Sequence, residues 1–325
     1  MAKGIKTRVT EILRVKYPLI MGTMGYQSNA EFVAAAANAG IFGCLASIMS
    51  PTSQALREEI RKTKSLTDKP FGVNINLFPM ISPVPIEEYT DAAIEEGVPV
   101  IETSGRSPAD LVERIKKANV TLMHKCVSAR HAVTAERLGA DIVAVVGYEA
   151  AGHPGRDPIG SLVLFPQAVD AVKIPVVAAG GIGDARGFVA AFALGAEGVC
   201  MGTVFMATKE CPIHPNLKQR LIEARETDTT MIFHSKGDPM RALRNPLTAQ
   251  IQEMEEKGAT TQDIIELIGG GKGRHAAAIG EADWTLLSIG QVVAQIHDVP
   301  TIKELVDRLM DEVAVVQQKL NTLLL

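Results

Sequence analysis

One local grammar recurs eight times before residue 206: a short apolar run, a polar or glycine-rich turn, then an amphipathic helical stretch. A chain written this way lays its strands parallel, since each helix carries the backbone back over the sheet before the next strand begins. The strand segments are YPLIMG from Tyr17, FGCLAS from Phe42, FGVNINL from Phe71, VPVIET from Val98, VTLMHK from Val120, DIVAVVG from Asp141, PVVAAGG from Pro175 and EGVCMGT from Glu197. Eight such units predict an α/β fold, the (β/α)8 or TIM barrel, over residues 1–206 of the 325.

Backbone chemistry at the predicted helix ends supports the count. Ser28 with Glu31 reads as a capping box, and Gly40 follows that helix as a left-handed cap. Ser107 is placed to cap a helix opening with Pro108, while Gly97, Gly139 and Gly195 stand where helices hand over to strands. Beyond the eighth strand the rhythm breaks. Residues 207–299 read as a mostly helical insertion or lid, with helices near 217–226, 247–257 and 261–267. Thr301 with Glu304 then caps a terminal helix over 300–325, which is expected to pack on the barrel or on a partner subunit, leaving a homodimer open.

Composition excludes several function classes. Hydrophobic residues make up 46% and charged residues 22%, so a large core is available. A net charge of -4 and 4% aromatics supply neither the field nor the stacking surface that nucleic acid requires. No run of apolar residues is long enough to span a membrane, and MAKGIKTRVTEILRVKYP lacks a signal-peptide core, so a cytoplasmic location is expected. Cys44, Cys126, Cys200 and Cys211 are widely separated and read as buried thiols. His124, His131, His214, His234, His275 and His297 show no metal-ligand spacing, so no metal site is predicted.

Chemistry is expected at the C-terminal ends of the strands, where the βα loops of a barrel converge. Gly180 and Gly181 in AGGIG, and Gly202 with Thr203 in MGT, end two adjacent strands. Either cluster alone could be a tight turn; together they predict backbone amides around a phosphate-bearing ligand. The longest interval between strand starts, 34 residues, follows DIVAVVG and contains EAAGHPGRDP. His153, fixed there between Gly152 and Pro154, is the candidate proton donor or acceptor. Arg156 and Asp157 read as rim residues paired with each other, and GGGKGR from Gly269 as a lid loop, since it lacks the ending of a phosphate loop.

The run EAAGHPGRDPIG, followed by VVAAGGIGDARGFVAAFALGAEGVCMGTVFMATKEC, resembles nitronate monooxygenases (2-nitropropane dioxygenases) and their NADH:quinone reductase and FabK-type enoyl reductase relatives. KSLTDKPFGVNINL and DWTLLSIGQ extend the likeness over nearly the whole chain. The resemblance implies FMN at the barrel top, its phosphate on Gly180, Gly181, Gly202 and Thr203. The flavin ring would then lie over Gly22, Thr23 and Met24, near Asn74, Lys125, Ala150 and Gly152. Lys125 would set positive charge beside the ring, and His153 would act on or orient the substrate.

Family members commonly carry QGGM where this chain has Met21-Gly22-Thr23-Met24, so a thioether replaces an amide. Met21 is on that ground a candidate contact for a small-molecule substrate, favouring a bulkier or less polar one. Ser288 and Gln291, near Trp284, are further candidates as residues that could close over the flavin. The leading expectation is oxidation of alkyl nitronates by FMN and O2. Its rival is NAD(P)H-dependent reduction of quinones or enoyl compounds, with NAD(P)H a transient co-substrate. A flavin-free sugar-phosphate barrel and a non-catalytic metabolite-binding barrel are the remaining alternatives.

Overall fold

The computed structural model describes residues 4–78, 84–269 and 271–323. Eight parallel strands close into a barrel in chain order: β1 (Leu19–Met21), β2 (Phe42–Ala46), β3 (Gly72–Asn76), β4 (Val100–Ser104), β5 (Thr121–Cys126), β6 (Ile142–Val146), β7 (Val176–Ala179) and β8 (Gly198–Met201). Every strand segment expected from the sequence is present, and β1 pairs with β8 through Ile20 and Cys200 to close the ring.

Helix α1 (Arg8–Leu13) precedes the barrel. The connections carry α2 (Ala30–Asn38), α3 (Ser53–Leu66), α4 (Ile86–Glu95), α5 (Ala109–Lys117), α6 (Ala129–Leu138), α7 (Ser161–Ala171) and α8 (Ala185–Ala193). After β8 come α9 (Thr203–Met206), α10 (Pro215–Glu223), the antiparallel pair β9 (Thr229–Ile232) and β10 (Met240–Leu243), α11 (Pro246–Glu256), α12 (Thr261–Gly269) and α13 (Gly271–Ile279). The chain ends in α14 (Ile302–Leu323), which lies against α8 and α2.

Strand alternation divides the core into two layers. Ile20, Phe42, Val100, Met123, Ile142 and Val177 point inward and fill the barrel, and Val9 and Leu13 of α1 close its N-terminal end. The intervening residues, such as Met21, Leu45, Val73, Ile101 and Val143, point outward beneath the helices.

Several local expectations change on folding. Asn29, not Ser28, caps α2, accepting from the Phe32 amide at 3.0 Å. Ser28 accepts from the Met24 amide at 2.9 Å instead, tightening the turn that leaves β1. Helix α5 begins one residue late, with Pro108 at its N-cap and Ser107 Oγ 3.4 Å from the Ala109 amide. Gly97, Gly139 and Gly195 are all left-handed, as their positions required. Thr301 and Glu304 form the reciprocal capping box, each side chain accepting from the other's amide at 3.1 and 2.7 Å.

The segment after β8 is not wholly helical, because the β9–β10 hairpin interrupts it; two four-residue strands carry too few alternations to be read from pattern. GGGKGR is not a loop along its length. Gly270 lies outside the described residues, and from Gly271 the chain is helical, carried by the helix-forming Ala276-Ala277-Ala278 run.

Candidate active site at the barrel mouth

The period of two that buries Val100 and Met123 also turns Glu102 and Lys125 into the barrel, and the same register aims Asn74 inward beside Glu102. Glu102 is fully buried. Its Oε1 accepts from Thr23 Oγ1 at 2.7 Å and from Asn74 Nδ2 at 2.7 Å, and lies 3.1 Å from Lys125 Nζ. Three of the predicted site residues therefore converge on a carboxylate that sequence reasoning missed. A formal charge two positions past an apolar inward residue was the available clue.

Burial pushes the Lys125 ammonium down, but the Glu102 carboxylate overrides that and holds it above its usual range. Cys44 and Cys200 belong to the same interior. Burial raises Cys44 well above its ordinary value and Cys200 to about 11, which leaves both as thiols at neutral pH.

Around this polar floor the glycine turns form the rim. Gly180 and Gly181 have φ of 86° and 72°. A Cβ on Gly180 would fall 2.9 Å from both the Ala150 Cβ and the Gly147 carbonyl, so no other residue fits. A Cβ on Gly202 would meet nothing within 4 Å, which marks open space beside the Thr203 helix start. Among the described residues, no protein acceptor takes the amide hydrogens of Gly180, Gly181, Gly202 or Thr203. By contrast, the Gly22 amide donates to the Met201 carbonyl at 2.8 Å and the Met24 amide to Ser28. Two of the three amides expected at the end of β1 are thus used internally.

Ser161 locks the β7 turn in place. Its hydroxyl contacts Glu149 Oε2 and the Gly180 carbonyl at 2.9 Å each, and its amide donates to Glu149 at 3.0 Å. Thr203 Oγ1 is not free, since it accepts from the Gly290 amide at 2.9 Å. With the Gln291 amide donating to the Glu149 carbonyl at 3.0 Å, this draws the segment containing Ser288 and Gln291 onto the β6–α7 loop.

His153 lies on that loop, half-buried, its ring centroid 5.1 Å from that of Phe78. Its Nδ1 is 3.2 Å from Asp238 Oδ1, though not in hydrogen-bonding alignment. The β9–β10 hairpin holds the loop: Gly152 and Arg241 exchange backbone hydrogen bonds of 3.1 and 2.7 Å. Arg156 donates to the Gly237 carbonyl instead of pairing with Asp157. Arg241 is itself buried, with its guanidinium on the Tyr148 carbonyl at 3.0 and 3.3 Å and on Thr229 Oγ1 at 3.1 Å.

Met21 stands apart from these groups. It is fully buried and points outward, its Cε 3.4 Å from where a Gly43 Cβ would lie, in the layer facing α2. Alternation explains this: Ile20 and Gly22 face the barrel interior, so Met21 cannot. The expectation that Met21 tunes substrate polarity is therefore corrected. Among the described residues no cluster of three or more His, Cys, Asp or Glu could hold a metal ion, and no helix is long and apolar enough to cross a membrane.

A family model for nitronate monooxygenase matches residues 6–312. The chain is 33% identical to a hydroxy-methyl-oxo-octahydroindene-carboxyl-CoA dehydrogenase of Rhodococcus jostii, over 93% of this chain and 94% of the relative. It is 31% identical to a protein of Staphylococcus haemolyticus named as a probable nitronate monooxygenase, over 94% and 96%. The structure of FabK from Thermotoga maritima superposes with a TM-score of 0.89 at 34% identity, over 98% of this chain and 99% of that one.

Proposed function

Because the chain belongs to the nitronate monooxygenase family, we propose that it is an FMN-dependent oxidoreductase which oxidises alkyl nitronates with O2. The observation that carries this reading is the pair of glycine turns with uncommitted amides, beside the open space over Gly202, at the end of a barrel whose interior holds the Lys125–Glu102 pair. That donor set fits FMN. Gly180, Gly181, Gly202 and Thr203 would hold the phosphate through their amides, while Asn74 and Lys125 would lie beneath the ring. Bound there, the cofactor supplies the redox chemistry, accepting electrons from the substrate and returning them to oxygen.

The protein's own groups then bind and orient. A nitronate is an anion, and His153, on the β6–α7 loop, would orient it by hydrogen-bonding through a ring nitrogen. Phe78 limits the swing of the imidazole, and the hairpin contacts from Arg241 and Gly237 fix the loop that carries it. Lys125 contributes positive charge that favours electron-rich states near it.

A second reading, NAD(P)H-dependent reduction of a quinone or enoyl compound, is favoured by one specific feature. Exposed apolar side chains stand on the β1–α2 loop and on the first turn of α7: Tyr26 at 75%, Leu162 at 72% and Val163 at 54% exposure. Such a rim suits a bulkier, less polar substrate than a small nitronate. The test is an anaerobic titration of the flavin-loaded protein. Bleaching by an alkyl nitronate but not by NADH or NADPH supports the first reading, bleaching by the nicotinamide supports the second, and a protein that takes up no FMN overturns both.

A further inference from the structure

The Glu102 carboxylate is used unevenly. All three donors, Thr23, Asn74 and Lys125, meet Oε1, while Oε2 is buried without a hydrogen-bond partner. Gathering those side chains calls only for an acceptor oxygen, and a neutral amide would supply one. A buried carboxylate brings something else, a full negative charge that is costly to desolvate and whose field is barely screened inside the barrel. Because the charge lies against Lys125, a group placed over the pair feels an ion pair rather than an isolated cation.

We propose that Glu102 is the counter-charge that offsets Lys125 at the cofactor site and thereby lowers the reduction potential of the bound flavin. The inference rests on the FMN reading above. Lys125 favours the reduced, anionic ring, Glu102 opposes it, and the balance sets how readily the ring gives electrons up again. Cys44 and Cys200 add no charge to that balance, being thiols. The nearest histidine in sequence, His124, turns outward and bonds Thr103 Oγ1 at 2.8 Å.

The experiment compares the FMN-loaded wild type with Glu102→Gln, Lys125→Met and the double variant, at pH 7 and fixed salt. Two readouts are taken: the midpoint potential, and the dissociation constant for sulfite, whose flavin adduct is anionic. Glu102→Gln is expected to tighten sulfite about tenfold and to raise the two-electron potential by the corresponding ~30 mV. Lys125→Met is expected to move both readouts the other way. Adding Glu102→Gln to Lys125→Met should restore about the same factor, a comparison that does not depend on the lysine staying protonated or on the single Glu102 variant folding.

Unchanged sulfite binding and potential in both backgrounds would overturn the proposal. So would a Glu102→Gln potential that falls to the Lys125→Met value, which would mean that Glu102 serves only to keep the lysine protonated. Failure of the wild type to bind FMN is a separate result, and it would sink the cofactor reading itself.

Discussion

Arg241 straddles Tyr148: two guanidinium nitrogens bond the Tyr148 carbonyl, and the guanidinium carbon lies 5.0 Å from the centre of the tyrosine ring. One residue of the hairpin thus grips the loop that carries His153, five positions upstream of the imidazole. Truncating Arg241 to alanine would leave the Tyr148 carbonyl and Thr229 hydroxyl short of a buried donor and remove a cation from the ring face. Arg241→Ala is expected to cost about 2–4 kcal/mol in urea unfolding. Arg241→Lys should recover only part of that, since an ammonium lacks the planar fork.

The two glycine turns should respond oppositely to the same change. Gly180→Ala forces a Cβ onto backbone at φ 86°, so a cofactor-free sample should melt several degrees lower. Gly202→Ala places its methyl in open space with φ at -111°, so the free protein should keep its stability to within about 0.5 kcal/mol. Its FMN affinity should nevertheless drop by about tenfold or more, because the methyl occupies the room that the ligand needs. Thermal melts and an FMN fluorescence titration of both variants separate stability from binding.

His124 predicts an acid-sensitive fold. Burial, aided by His131 and opposed by Glu102, depresses its pKa to about 4. The unfolded imidazole binds its proton near pH 6.5, so between about 6.5 and 4 the unfolded chain holds a proton that the folded chain refuses. The stabilising contribution is complete above pH 6.5 and is lost as the pH falls towards 4, an effect of about 3 kcal/mol. Denaturant titrations from pH 7.5 to 4.5 should show this slope in the wild type, and His124→Asn should flatten it.

His153→Ala removes the ring from the mouth without touching the glycine turns or Lys125. Turnover is expected to fall about a hundredfold while the flavin spectrum and FMN stoichiometry are retained. Unchanged turnover would show that His153 takes no part in orienting the substrate.

The barrel was legible because each strand segment is apolar, all but VTLMHK contain or adjoin glycine or proline, and each is followed by a helical stretch. Lys125 and Asn74 were reached through the family resemblance, and the glycine turns were legible because they recur in neighbouring units. Glu102 was hidden inside VPVIET, where one acid among apolar residues suggests a strand end rather than the centre of a hydrogen-bonded cluster. Met21 was misplaced for a related reason: comparing it with a family motif ignored that successive strand residues face opposite ways. The hairpin and its Asp238 beside His153 could not be read from local pattern, since the contact joins positions 85 residues apart and depends on how the insertion folds back.

Helix α1 seats Val9 and Leu13 against the interior residues at the N-terminal end of the strands, corking one end of the cylinder. A vessel so closed has a single doorway. Whatever reaches the interior must come and go past the same loops.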